Sequence, residues 1–231
     1  MFKNNDIDSK FKAISSLLNK LKINASTYLD LGSGDGSLTQ LIAKTVGARE
    51  YYCVDIDIKA LKAASLKGCK IYNIDLDIEK LPFSDGFFDL VTAFNVIEHL
   101  RNPDNMLREV RRVLKKRGFF MLSTPNIASW YNRLLLLFGE PPLGIDLSTE
   151  WRYCYPFGVK STISGHVRMY TLKALTRLLE HHGFKAIAYK GFPQIWKKTQ
   201  PKGVLKLISV LDKLLSKYSK LAPNILILSM K

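Results

Sequence analysis

One stretch limits this chain more than any other. Tyr28-Leu29-Asp30-Leu31 runs straight into Gly32-Ser33-Gly34-Asp35-Gly36, and apolar residues then recur with a helical period from Ser37 to about Thr45. The first four residues read as a short buried strand, the glycines as a tight turn. Glycine permits that turn and lets a ligand approach the backbone without meeting a Cβ. Several folds use such a strand–turn–helix unit, so its neighbours must discriminate among them.

The pattern around the turn repeats. Short apolar strands are expected at 51–54, 70–74, 88–94 and 119–122, with helices at 10–22, 59–66 and 103–116. Asn102 and Pro103 read as a helix start, and Gly118 as the residue that closes that helix. Strands alternating with helices predict a parallel sheet covered on both faces. Residues 126–166 break the rhythm, being aromatic, proline-bearing and without clear period. Beyond them a helix is expected at 171–182, a strand at 184–189, an amphipathic helix at 204–218 and a last strand at 224–230. No linker is visible, so residues 1–231 read as one domain with an insert at 126–166.

The acids narrow the ligand. A dinucleotide pyrophosphate favours backbone N–H groups with no carboxylate nearby. Here Asp30 stands two residues before Gly32, and Asp35 lies inside the loop. Two carboxylates suit a ligand carrying an ammonium and a sulfonium, and S-adenosylmethionine is such a cofactor. The second strand ends at Asp55, 21 residues beyond Gly34, where an acid can accept both ribose hydroxyls. The third ends in Asp75-Leu76-Asp77, within reach of an adenine amino group. All lie at carboxyl ends of strands, where open α/β sheets bind ligands.

Four runs together carry a resemblance: Asp30 to Gly36, Val54-Asp55-Ile56-Asp57, Leu81-Pro82-Phe83-Ser84-Asp85-Gly86-Phe87-Phe88-Asp89, and Asn95-Val96-Ile97-Glu98-His99-Leu100. As a set, over about residues 28–125, they resemble the successive motifs of class I S-adenosylmethionine-dependent methyltransferases. Thr124-Pro125-Asn126 and Gly165-His166-Val167-Arg168-Met169-Tyr170-Thr171 more loosely resemble a subgroup acting on small molecules, lipids and saccharides. The resemblance implies a doubly wound α/β fold, Rossmann-like, with a seven-stranded, mostly parallel sheet whose last strand is antiparallel. It implies cofactor contacts from Asp30, Gly32, Ser33, Gly34, Asp55, Ile56, Asp75, Leu76 and Asn95. Gly32 and Gly34 would lie beside the methionine part, Asp55 on the ribose and Asp75 by the adenine, with Asp77 as the other candidate there. Asn95 would sit near the methionine moiety.

Methyl transfer from a sulfonium is an in-line displacement, much of it positioning. A hydroxyl acceptor gains from a general base, and histidine suits neutral pH. His99 and His166 are the candidates for that catalytic role; His181 and His182 sit at a helix C-terminus and read as structural. Asn95 is a neutral amide three residues before Glu98 and a poor ligand for a hard ion, so no metal is expected, although Glu98, His99 and His166 could hold a softer one.

Charge bears on the acceptor. Residues 1–110 hold 14 basic and 15 acidic residues; residues 111–231 hold 21 and 5. The cationic half favours an anionic partner. The insert, with Trp130, Tyr131, Arg133, Trp151, Arg152 and Phe157, suits an anionic or amphiphilic small molecule. The expected function is methyl transfer to a small-molecule, lipid-linked or saccharide acceptor, at oxygen. Two alternatives remain: an RNA methyltransferase, and a non-catalytic scaffold serving a partner protein. Nucleic acid is disfavoured because no Asn/Asp-Pro-Pro-Tyr/Phe run follows the fourth strand. The helix at 204–218 carries an apolar face (Val204, Leu207, Leu211, Leu214, Tyr218) edged by Lys206, Lys213, Lys217 and Lys220, a form that also allows peripheral membrane contact. Cys53 reads as a small core residue and three cysteines form no metal spacing, in keeping with a reducing, cytoplasmic setting; no secretory signal or spanning helix is expected.

Overall fold

Strand parity explains the architecture. In β1 (Thr27–Leu31), Leu29 and Leu31 point to one face of the sheet while Tyr28 and Asp30 point to the other. Both faces are apolar apart from Asp30, so both must be covered. A computed structural model describes residues 4–155, 160–161, 163–194 and 202–231. Its further strands are β2 (Glu50–Asp55), β3 (Lys70–Asn73), β4 (Phe88–Phe94), β5 (Leu114–Pro125), β6 (Lys185–Phe192) and β7 (Asn224–Met230). Its helices are α1 (Asn4–Lys20), α2 (Ser37–Val46), α3 (Ile58–Ser65), α4 (Pro103–Val113), α5 (Trp130–Leu137), α6 (Leu172–His181) and α7 (Lys202–Leu215).

The seven strands form one sheet in the order β3-β2-β1-β4-β5-β7-β6. β1 to β5 pair in parallel, and β7 enters antiparallel between β5 and β6. On one face, Met106, Leu107, Val110 and Val113 of α4 and Leu175 and Leu179 of α6 pack on Leu29, Val91 and Leu122. On the other, Ile14, Leu17 and Leu18 of α1 and Ile42 and Val46 of α2 pack on Tyr28, Leu90 and Met121. This is the doubly wound α/β arrangement the residue pattern predicts.

Two local readings need correction. α4 ends at Val113, not 116, and Leu114 already pairs with Phe88. Gly118 therefore lies inside β5, at an irregular stretch where Arg117 has φ 65°; a Cβ on Gly118 would stand 2.9 Å from the Lys115 carbonyl oxygen. The glycine permits a kinked strand entry and does not close a helix. Cys53 is buried as expected but is not a free thiol: it is bonded to Cys69, just ahead of β3. Parallel neighbours bring the two Cα atoms to 5.9 Å, within disulfide reach. The cysteines thus give no support to a reducing setting. Phe157 and the side chains of Val204, Lys206 and Leu207 lie outside the described residues.

The Cys53–Cys69 bond spans 16 residues and closes the end of β2 and all of α3 into a loop. Its reduction should lower unfolding stability by about 3 kcal/mol. Thiol titration of the denatured, unreduced chain should find one thiol, that of Cys154. A count of three, with stability insensitive to reductant, contradicts the pairing.

Candidate active site

The strand order reverses between β1 and β4: β2 and β3 lie to one side of β1, β4 and β5 to the other. A crevice must open above the carboxyl ends of strands at such a point. The glycine turn forms its floor. Gly32, Gly34 and Gly36 all have positive φ, at 67°, 55° and 71°. A Cβ on Gly32 would stand 2.3 Å from Val96 Cγ2, and one on Gly36 would stand 2.8 Å from the Ala64 Cβ. These two glycines permit close packing beneath the loop. Gly34 differs, because nothing lies within 4 Å of its missing Cβ. Ser33 Oγ is buried without a hydrogen-bond partner among the described residues.

Around this cradle stand the acids. Asp55 Oδ2 accepts from the Gly34 N–H at 2.8 Å and Oδ1 from the Asp57 N–H at 2.9 Å, which fixes its carboxylate at the rim. The next residue, Ile56, is 70% exposed and offers an apolar plate beside it. Beyond β3, Asp77 Oδ1 accepts from the Asn102 N–H at 2.8 Å and joins that loop to the start of α4. Asp75 Oδ1 accepts from the Asp77 N–H, and its other oxygen has no hydrogen-bond partner among the described residues. Leu76 between them is buried. At the end of β4, Asn95 has φ 56°, rare for a residue with a side chain. Its Nδ2 donates to Glu98 Oε1 at 2.9 Å, and its Oδ1 accepts from the Lys10 ammonium of α1 at 2.5 Å. An orphaned hydroxyl, an open glycine, an apolar plate and flanking carboxylates fit a nucleoside whose tail is cationic.

Asp30 stands elsewhere than sequence spacing implied. It is 3% exposed and lies beneath the crevice. Parity turns it toward α2, where Oδ2 accepts from the Thr39 hydroxyl at 2.5 Å, and register sets it beside Thr92 of β4, which donates to Oδ1 at 2.6 Å. Burial raises its pKa to about 6, against the opposing pull of the two threonine hydroxyls and Lys10. Asp35 is exposed, but its carboxylate is engaged within the protein, accepting from the Ser37 N–H and hydroxyl and from Lys67.

The second half of the site assembles from distant sequence. The Glu98 carbonyl accepts from the Val167 and Arg168 N–H groups, and Arg168 donates to the carbonyls of Leu100 and Arg101. Segment 163–170 is thereby clasped to the loop after β4, and the rings of His99 and His166 meet with centroids 4.9 Å apart. Each Nδ1 faces a backbone carbonyl, Gly165 O at 3.1 Å for His99 and Gly144 O at 2.9 Å for His166. A carbonyl only accepts, so each Nδ1 donates and each Nε2 is left with its lone pair. Asp146 holds the turn: it accepts from the N–H groups of Ser164, Gly165 and His166 and from the Ser164 hydroxyl. Burial alone would raise its pKa; these donors bring it below the ordinary carboxylate value. Glu98 is fully buried, with its oxygens engaged by Asn95 and the Thr124 hydroxyl. Ligand atoms of Glu98, His99 and His166 lie within 4.8 Å of one another, so these three could also hold a divalent ion of the softer kind. His182 bonds Asp104 at 2.8 Å and is structural. Lys10 and Asp146 lie near no motif, so no sequence signal marks either for the site.

The methyltransferase domain family is matched over residues 6–189, and the chain belongs to it. Together with the sheet order, this places the fold in class I of the S-adenosylmethionine-dependent methyltransferases, and S-adenosylmethionine is the cofactor that goes with that fold. Among curated relatives, a probable S-adenosylmethionine-dependent methyltransferase of Mycobacterium tuberculosis is 35% identical over 102 residues, covering 44% of this chain and 36% of its own. The ubiquinone/menaquinone biosynthesis C-methyltransferase UbiE of Burkholderia mallei is 35% identical over 99 residues, 41% of each chain. The matched segments thus span less than half the length of these relatives. Among solved structures, an S-adenosylmethionine-dependent methyltransferase from Mesorhizobium loti superposes with a TM-score of 0.63 at 18% identity, covering 97% of this chain and 100% of its own. The [4+2]-cyclase SpnF superposes at 0.58 with 16% identity, covering 94% of this chain and 80% of its own, so the fold alone does not fix the reaction.

Asp30 yields a pH signature. Its folded pKa, about 6, lies above the ordinary 3.8, so between those values the folded state holds the proton more tightly. Its contribution to stability is full below about pH 4 and is lost as pH rises through about 6, a difference of about 3 kcal/mol. Denaturant unfolding across this range should show that slope in the wild type and not in Asp30→Asn. Equal slopes contradict the assignment.

Proposed function

We propose that this protein is an S-adenosylmethionine-dependent methyltransferase that methylates a hydroxyl of an anionic or amphiphilic small molecule, lipid-linked or saccharide in kind. One observation carries the acceptor chemistry. Two histidines, 67 residues apart in sequence, are brought ring to ring beside the cofactor crevice with both ε-nitrogens free to accept a proton. An amine acceptor, once neutral, needs no base; a hydroxyl gains from one. The relative UbiE transfers to carbon by its name. The histidine pair is what argues for oxygen here.

S-adenosylmethionine, when bound, supplies an electrophilic methyl on a sulfonium. The rest falls to this chain. Asp55 accepts the ribose hydroxyls while the Gly34 N–H keeps its carboxylate in place. Ile56 and Leu76 flank the adenine, and Asp75, with an oxygen to spare, accepts from its amino group; Asp77 is engaged with Asn102. Ser33 and Gly34 line the methionine tail, and Gly32 keeps the turn tight against Val96. Asp30 acts from beneath, as a buried negative charge under the cationic tail. Asn95 is fixed between Lys10 and Glu98, so that it faces the tail in one orientation. His99 or His166 takes the acceptor proton at Nε2, and its Nδ1–H bond to a carbonyl stabilises the resulting imidazolium. The insert at 126–166 shields the acceptor from water. A cytoplasmic setting belongs to this reading; Cys53 and Cys69 are 0% and 5% exposed, which shields their bond from soluble thiols.

Asp55→Ala should weaken S-adenosylhomocysteine binding by about 1–3 kcal/mol in calorimetry; unchanged affinity contradicts its place on the ribose. With methyl-labelled cofactor and fractionated lipid, saccharide and RNA extracts, label should enter a lipid or saccharide fraction. His99→Ala or His166→Ala should lower the rate by about 10²–10⁴-fold while leaving S-adenosylhomocysteine affinity unchanged. Label in RNA alone overturns the acceptor class. Activity abolished by chelator and restored by a divalent ion would make the two histidines ligands in place of a base.

A further inference from the structure

From residue 209 on, where the side chains of α7 are described, its inward side is only partly apolar, with Leu211 and Leu215 half-buried there. Its buried side chains include Asp212, at 0% exposure, and Ser216 just beyond its end, at 5%. Val210, Leu214 and Tyr218 face water at 49%, 52% and 66%. These three recur every four residues, which aligns Val210 and Leu214 along one helix face with Tyr218 continuing their line. Lys213, Lys217 and Lys220 are exposed among them and form no ion pair among the described residues. The single acid of this stretch is turned inward, where Asp212 Oδ1 accepts the Trp130 indole N–H at 2.5 Å.

That bond leads to a second exposed apolar segment. Trp130 begins α5, and its backbone N–H donates to the Leu221 carbonyl just past α7. Along α5 only Asn132 and Leu135 are buried, while Leu136, Leu137 and Phe138 are 55%, 76% and 78% exposed. Arg133 is exposed beside them. Single exposed leucines need no explanation, but apolar side chains recurring outward along α7 among lysines do.

We propose that the outward side of α7 docks on the surface of an anionic lipid bilayer. The alternation selects this occupant. Leucine and valine gain by entering the acyl boundary, and lysines beside them gain from anionic headgroups. A nucleic acid would use the lysines and leave the aliphatic side chains in water. A second copy of the chain, meeting this face isologously, would set lysine against lysine. The inference goes beyond the proposed activity, because docking requires neither cofactor nor acceptor.

The test uses the full chain without cofactor in flotation with vesicles of phosphatidylcholine alone and of phosphatidylcholine with phosphatidylglycerol. Wild type should float with the anionic vesicles at low salt and much less with neutral ones. Lys213→Ala/Lys217→Ala should weaken partition about 30-fold, from roughly tenfold per 1.4 kcal/mol and about 1 kcal/mol for each lysine. Leu214→Glu, on an exposed position, should abolish flotation while circular dichroism and S-adenosylhomocysteine affinity stay as in wild type. Absence of flotation at low salt, or folded variants that float like wild type, overturns the proposal. So does a dimer in sedimentation that Leu214→Glu dissociates, or an RNA that binds through the same lysines while vesicles do not. Loss of cofactor affinity in the wild type would count against the methyltransferase reading and leave the flotation result standing.

Discussion

No side chain fits at residue 32, because Val96 already fills the space a Cβ would take. The two residues belong to different loops, after β1 and after β4, and their contact closes the seam where strand order reverses. Much depends on that contact. It holds the glycine turn down on the sheet, so that the Gly34 N–H reaches Asp55 and the open side of Gly34 faces the crevice. It also seats the loop after β4, which carries Asn95, Glu98 and His99. A larger residue at position 32 would lift both halves of the site together.

Two kinds of order meet there. On the cofactor side, backbone N–H groups hold carboxylates: Asp55 is fixed from Gly34 and Asp57. On the side of the histidine pair, a carboxylate holds backbone N–H groups, as Asp146 gathers the turn at 164–166. Both arrangements fix a reactive group through main chain, which is less free to rearrange than side chain. The histidine pair gains its tautomers from this same order, since a carbonyl opposite each Nδ1 leaves no other choice.

The sheet and the glycine turn were largely legible in the sequence, because both rest on local patterns. The apolar strand ending in Asp55 falls where the structure sets it, β3 stops at Asn73, two residues short of Asp75, and the glycine turn needs only its own residues. What escaped depends on contacts across the chain. Asp30 looks like a crevice residue by spacing, yet parity turns it under the loop to Thr39 and Thr92. The bond between Cys53 and Cys69 depends on the pairing of β2 with β3, and spacing alone does not reveal it. Gly118 mimics a helix end, although it serves a kinked strand. Asp146 lies in an insert without period, 20 residues from the histidine it positions. Leu214 and Tyr218 belong to an apolar stripe whose exposure is evident only once Asp212 is found facing inward.

A structure with S-adenosylhomocysteine bound tests the account most directly. The ribose hydroxyls are expected on the Asp55 carboxylate, the tail along Ser33 and Gly34, and the sulfur on the side of the crevice that faces His99 and His166. A nucleoside bound away from Asp55, or a sulfur turned from the histidine pair, would contradict it.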